Sequence, residues 1–144
     1  MIKTRKNSVT STKQAIKEML LQDLDIVKIL MGKNGKYKDV NDLLDKVIFN
    51  HLNYDIVAEA GIRISYEVKY LPSHDNLEEM MTVATIAIVQ LGTNFNDENY
   101  NMYIDILSEK ILDDVIKKFS PIMYSNMPIE NRSTGGRIIE FAIK

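Results

Sequence analysis

Apolar and polar residues alternate strictly along one segment near the middle of the chain. From Ile62 to Tyr70 every second residue is apolar or aromatic, and the residues between them are Arg63, Ser65, Glu67 and Lys69. A period of two is typical of a β-strand with one buried side and one solvent-facing side, as in antiparallel sheets. The pattern predicts such a strand, and Pro72 ends it.

A second segment, from Thr82 to Leu91, is apolar on both sides, and within Val83–Val89 every residue except Thr85 is apolar. Such a strand either lies in the centre of a sheet or is covered on its second side by a partner. Gly92 closes the segment. The two strands are followed directly by a helix.

This helix is predicted from about Glu98 to Phe119 and stops at Ser120-Pro121. One helical stripe of apolar residues contains Tyr100, Ile104, Leu107, Ile111 and Val115. Ile106, Leu112 and Ile116 fall outside that stripe. The helix therefore has more apolar surface than a single contact with a sheet requires.

The N-terminal part is predicted to be helical. Apolar spacing indicates one helix over Thr12–Met31, with Ser11 as its N-terminal cap, and a shorter helix from Asn41 or Asp42 to Phe49. Residues 1–10 are polar and basic, so we expect them to be mobile or ordered by a partner.

The C-terminal part is predicted as a long loop, 121–136, followed by a last strand over Arg137–Ile143. A loop of this length is uncommon in a compact domain and is usually functional or disordered. Together these elements predict one α+β domain over 1–144. A small, mainly antiparallel sheet is packed by an N-terminal helix and by the long helix in the C-terminal half.

Composition excludes several kinds of protein. The chain has 144 residues, 45% of them hydrophobic and 26% charged, with a formal net charge of −2 and no cysteine. No disulfide framework or cysteine-ligated metal is possible. The charge provides no general attraction to nucleic acid or anionic membranes, and no apolar run is long enough to cross a bilayer. We expect no membrane and no sequence-specific nucleic acid as partners.

No motif for catalysis, cofactor binding or metal binding is recognisable, so we expect none of these sites and no enzyme activity. His51 and His74 stand outside any metal-ligand spacing. Asp105, Glu109 and Asp113 share a helix face with lysines among them, which is typical of a solvated surface.

Two tyrosines, Tyr66 and Tyr70, lie on one strand face as base-stacking residues would. They share it with Ile62, Ile64 and Val68, which favours a core or an interface.

Surplus apolar residues favour an interaction surface. Methionine and tyrosine are enriched at protein interfaces. The candidate interface residues are Met123, Tyr124, Met127 and Ile129 in the predicted loop, and Ile106, Leu112 and Ile116 on the long helix. Together with the doubly apolar strand, they indicate a protein that buries surface against copies of itself or a partner.

The order of elements resembles that of the small neck and tail-completion proteins of tailed bacteriophages, in particular the tail terminator group. The residues that carry the resemblance are Gly61–Val68, Thr82–Val89, Tyr103–Leu107 and Gly136–Phe141. The likeness is one of topology and size.

The resemblance implies a structural virion protein without catalysis that forms a ring, expected to be hexameric, at the head–tail junction. Its partners would be other neck and tail-tube proteins, and it would assemble in the host cytoplasm. Two alternatives stay open. One is a small phage-type metal-dependent nuclease or resolvase, for which the strands offer only Glu67 and Glu140. The other is a dimeric regulatory or inhibitory partner protein.

Overall fold

The computed structural model describes residues 8–31, 37–52, 61–72, 80–91, 98–129 and 135–143. Within these ranges the chain forms four helices and a mixed, mostly antiparallel sheet of five strands. The predicted α+β class is confirmed. The elements are α1 (Val9–Gln22), α2 (Leu24–Met31), α3 (Val40–Lys46), β1 (Ile48–Phe49), β2 (Gly61–Pro72), β3 (Met80–Leu91), α4 (Glu98–Phe119), β4 (Met123–Pro128) and β5 (Gly135–Ile143).

The strand order in the sheet is β1-β2-β3-β5-β4. The two-residue β1 runs parallel to β2, and all other neighbouring pairs are antiparallel. The strand that is apolar on both sides, β3, is therefore central. Helix α4 connects β3 to β4, so β5 enters the sheet between them.

The two faces of the sheet differ. In register, Ile64 lies opposite Ile88, and Ile86 lies opposite both Tyr66 and Ile139. These side chains share what we call the helix face, and they form one buried cluster with residues of α1, α2, α3 and α4. The other side of the sheet, the opposite face, carries the alternate residues.

The stripe predicted for α4 is confirmed for the four side chains that the structure describes. Ile104, Leu107, Ile111 and Val115 are all buried in the core cluster. The side chain of Tyr100 lies outside the described part. At the end of the helix Ser120 has φ 45°, a left-handed conformation that turns the chain towards β4.

The N-terminal helix is not the continuous one predicted. It begins at Val9, where the Ser8 hydroxyl caps it by accepting from the amide of Ser11, and it breaks at Asp23 into α1 and α2. Apolar spacing missed the break because both helices bury their apolar side chains in one cluster. Residues 9 and 10, in the segment expected to be mobile or ordered by a partner, belong to α1, and residues 1–7 lie outside the described ranges.

Two further predictions are corrected. The predicted loop 121–136 contains β4 and the start of β5, while residues 130–134 lie outside the described part of the chain. The short helix ends at Lys46, and Ile48–Phe49 form β1.

Two residues of β2 that were predicted to be solvent-facing, Arg63 and Ser65, are buried, with 4% and 2% of their surface exposed. The Arg63 guanidinium donates to the carbonyl oxygen of Ile62 at 2.9 Å and to the hydroxyl of Tyr37 at 3.4 Å. Alternation alone could not show that this end of the opposite face is also buried.

Candidate functional site, an exposed apolar sheet edge

Strand β4 is an edge strand with exposed apolar side chains. Met123 and Met127 are 65% and 60% exposed, and Tyr124 is 54% exposed. Ile122, immediately before the strand, is 52% exposed. Four large apolar side chains therefore lie within six consecutive residues at one edge of the molecule, where contiguous apolar surface typically marks an interaction site.

The pairing of β4 with β5 determines where these side chains lie. Tyr124 is in register with Phe141 and therefore belongs to the helix face, next to α4. Met123 and Met127 are in register with Ala142 and Ile138, so both belong to the opposite face. The strand thus presents apolar groups on both sides of the sheet.

On the opposite face, the two methionines begin apolar rows that continue across the sheet. The rows are Met123–Ala142–Val83 and Met127–Ile138–Ala87, with the polar row Ser125–Glu140–Thr85 between them. The inner members of the apolar rows are buried or half-buried, whereas the methionines are exposed. Exposed apolar surface is therefore concentrated at the β4 end of this face.

A polar network attaches β4 to the rest of the molecule. The Arg137 guanidinium donates through Nε to the side-chain oxygen of Asn126 at 2.9 Å and through Nη2 to its backbone carbonyl at 3.2 Å. The Asn126 amide donates to the hydroxyl of buried Ser108 on α4 at 3.0 Å. Arg137 Nη1 also lies 3.9 Å from a carboxylate oxygen of Asp105. These contacts hold β4 in place within the chain.

The other edge of the sheet, at β1 and β2, is blocked by side-chain hydrogen bonds. Beyond the end of β1, the Glu67 carboxylate accepts from the backbone amide of Val68 at 3.0 Å. Lys13 Nζ on α1 lies 2.7 Å from Glu67 Oε1 and donates to the carbonyl of Asn50 at 2.8 Å. The Lys13 hydrogen bond holds the pKa of Glu67 below its usual value. An edge amide that is already bonded is poorly suited to pairing with another strand.

The candidate interface residues fall into two groups. Met123, Tyr124 and Met127 are exposed on β4, and Ile129 follows them half-buried, with its amide donating to the Gly136 carbonyl at 3.0 Å.

On α4, Ile106 and Ile116 are exposed, while Leu112 is half-buried against the core. Leu112 lies one helical turn after Ser108, on the side of α4 that meets β4, and Ile116 follows one turn later. Ile106 is turned about 120° from Leu112 around the helix and does not join this surface.

The two strand carboxylates considered for a metal site, Glu67 and Glu140, have different partners. Glu67 and Glu140 lie in the same cross-strand row, but Thr85 separates them. The Glu67 carboxylate pairs with Lys13, whereas the Glu140 carboxylate accepts from the Thr85 hydroxyl at 3.5 Å. In the part of the chain that the structure describes, no group of three or more histidine, aspartate or glutamate side chains could hold a metal. His51 is exposed, and His74 lies outside the described residues.

The sequence analysis did not predict a pair of neighbouring aspartates between the N-terminal helices and α4. Asp23, at the break between α1 and α2, and Asp114, on α4, line the same cleft, and each carboxyl group shifts the pKa of the other. Burial and the neighbouring carboxylate raise the pKa of Asp114 to about 6. No local pattern could have indicated this pair, because the two residues are far apart in sequence.

Among the helices that the structure describes, none is both long enough and apolar enough to cross a membrane. Searches against protein-family models, curated proteins and solved structures found no match to this chain.

Proposed function

We propose that this protein is a structural subunit that assembles with copies of itself through the β4 edge, and that it has no catalytic function. The observation that carries the proposal is the group of exposed apolar side chains at Met123, Tyr124 and Met127 on an edge strand. Long apolar sheet edges promote association, and natural proteins usually shield them with charges, bulges or covering segments.

The energetics favour burial of this edge in an assembly. Full burial of one methionine side chain is worth about 1.5–3 kcal/mol. Methionine also adapts its shape to a partner because it is unbranched and polarisable. The polar network that fixes β4 reduces the ordering cost of association, because the strand is already positioned.

We further propose that the assembly is a ring of the tail-terminator type at the head–tail junction of a tailed phage, in contact with neck and tail-tube proteins. Support comes from the order of elements, in which two long antiparallel strands are followed by a long helix and closing strands. The two sheet edges also differ, and a ring requires contacts between two different surfaces of each subunit.

The first test replaces both methionines, Met123→Thr and Met127→Thr, and measures molar mass by light scattering over a wide concentration range. We expect the wild type to form a ring of defined mass, visible by electron microscopy, and the double variant to be a monomer whose circular dichroism spectrum is that of the folded wild type. Threonine retains a high preference for strands, so β4 itself should persist.

The matched control is Leu24→Gln, which removes an apolar side chain that is 72% exposed on α2, away from β4. This variant should assemble like the wild type. An unchanged assembly in the double methionine variant would contradict the role of β4. A stable dimer at every concentration would contradict the ring and favour a regulatory partner protein, and a wild type that stays monomeric near millimolar concentration would contradict self-assembly.

A further inference from the structure

We propose that Asp23 and Asp114 form a proton-dependent latch, which fastens the joint between α1 and α2 to α4 while the two carboxyl groups share one proton. When both carboxyl groups are charged, the joint loosens from α4. The latch is independent of the β4 edge and does not require the chain to assemble.

The joint itself is built around Asp23. This residue has an extended backbone, with φ −82° and ψ 105°, between the last turn of α1 and the first turn of α2. Its carboxylate oxygen Oδ1 accepts from the backbone amides of Asp25 at 3.0 Å and Ile26 at 3.3 Å. The same carboxylate therefore caps α2 and contacts α4.

The α4 side of the latch is partly enclosed. Asp114 Oδ2 is shielded from solvent, and while both carboxyl groups are charged it accepts from no donor among the described residues. A shallow cleft of about 320 Å³ opens beside the pair and is lined by Met19, Gln22, Asp23, Asp114, Lys117 and Lys118. A shielded oxygen next to another carboxylate is costly to charge, because it has lost part of its hydration.

The neighbouring lysines do not offset the cost of charging Asp114. Lys110 Nζ lies 3.2 Å from Asp25 Oδ2 and pairs with it, which raises the pKa of Lys110. Lys117 lowers the pKa of Asp114, whereas Asp113 raises it. The titratable and charged groups facing the pair are Asp25 from α2 and Lys110, Asp113, Lys117 and Lys118 from α4.

The direction of the pH effect follows from the two pKa values. Burial and Asp23 raise the pKa of Asp114 from 3.8 to about 6, and the hydrogen bond with Asp114 lowers that of Asp23. The folded chain therefore binds a proton at Asp114 more tightly than the unfolded chain does. The stabilisation from Asp114 is complete below its unfolded pKa of 3.8 and is lost as pH rises through about 6.

Hydrogen exchange of the amides of Asp25 and Ile26 tests the latch, because both amides are bonded to Asp23 in the joint. After correction for intrinsic exchange rates, we expect their protection to fall about tenfold between pH 5 and pH 7, the change that one pKa unit would produce. Asp114→Asn should remove this pH dependence, because an amide cannot ionise and still donates to Asp23. The adjacent Asp113→Asn is the matched control and should retain it.

A carbon-13 NMR titration of the aspartate carboxyl groups provides a second measurement. Asp114 should titrate near pH 6 in the wild type, and Asp23→Asn should move that titration towards lower pH while an asparagine still caps α2. An ordinary titration of Asp114 in the wild type would overturn the proposal. Protection of the Asp25 and Ile26 amides that does not change with pH would also overturn it. The same pH dependence in Asp114→Asn would do so as well.

Discussion

At the scale of single residues, Gly136 shows how closely two strands approach in this sheet. A Cβ atom added at this position would lie 2.1 Å from the carbonyl oxygen of Ile88 on β3 and 2.9 Å from Cδ1 of Ile129. The first of these contacts is to backbone, which cannot move aside without disturbing the pairing of β3 with β5. The position therefore requires a residue without a side chain.

Gly136→Ala should lower the free energy of unfolding by about 1–3 kcal/mol, the usual range for overpacking a well-packed site. Chemical denaturation measures the change. The control is Glu140→Ala on the same strand, where the side chain is exposed and the expected change is within about 0.5 kcal/mol. Equal losses in the two variants would show that the close approach at Gly136 is not responsible.

At the scale of elements, β3 organises the domain. It pairs with β2 on one side and β5 on the other. Ala84, Ile86 and Ile88 on its helix face are fully buried. Ala87 and Val89 on its opposite face are buried as well. The apolar character of both sides of this strand is therefore explained by its central position, and the surplus that indicates assembly lies at β4 instead.

Ile86→Asp should leave the chain unfolded at 25 °C. An unpaired carboxylate at a fully buried position costs several kcal/mol, against a total stability of about 5–15 kcal/mol for a domain. Circular dichroism and proton NMR report the loss of structure. Val83→Asp is the control, because Val83 is half-buried on the opposite face and in register with Lys69, so this variant should fold. A folded Ile86→Asp variant that only fails to oligomerise would contradict this account.

At the scale of the whole molecule, one core joins the N-terminal helices to the sheet and α4. The largest fully buried members come from every part of the chain: Ile16 on α1, Leu43 on α3, Ile86 on β3, Leu107 on α4 and Phe141 on β5. The rings of Phe119 and Phe141 add a contact between α4 and β5, with centroids 5.0 Å apart. Elements that share one core are expected to unfold together.

Unfolding of the monomeric double methionine variant should therefore be a single cooperative transition. In differential scanning calorimetry the calorimetric and van't Hoff enthalpies should agree. Two separate transitions, with the helices α1 to α3 melting before the sheet, would contradict a single core. The same measurement on Gly136→Ala should show one transition at a lower midpoint.

Local periodicity predicted the parts of the fold that have one buried side. The alternation after Ile62 predicted β2, and the helical stripe around Leu107 predicted α4, because each of those elements buries one side against the core. The doubly apolar β3 was correctly expected to be central or covered. Among the interface candidates, Met123 and Met127 were identified by residue type alone.

Hydrophobic periodicity did not predict the structure where a segment has no single buried side. Most residues of β4 are exposed on both sides of the strand, so the segment carries no period-two pattern and was predicted as a loop. The break at Asp23 was missed because Ile16 and Ile26, on either side of it, are buried in the same cluster and keep the apolar spacing continuous.

The sequence by itself determined the α+β class, a strand that had to be either central or covered, and the lack of a recognisable catalytic motif, because these depend on residue types and short-range spacing. Tertiary structure alone decided which sheet edge is capped by Glu67 and which stays exposed at Met123. It also decided that Arg63 is buried and that Asp23 meets Asp114. The physical reason is that each of these outcomes arises from contacts between segments distant in sequence, which the spacing of residues within one segment cannot predict.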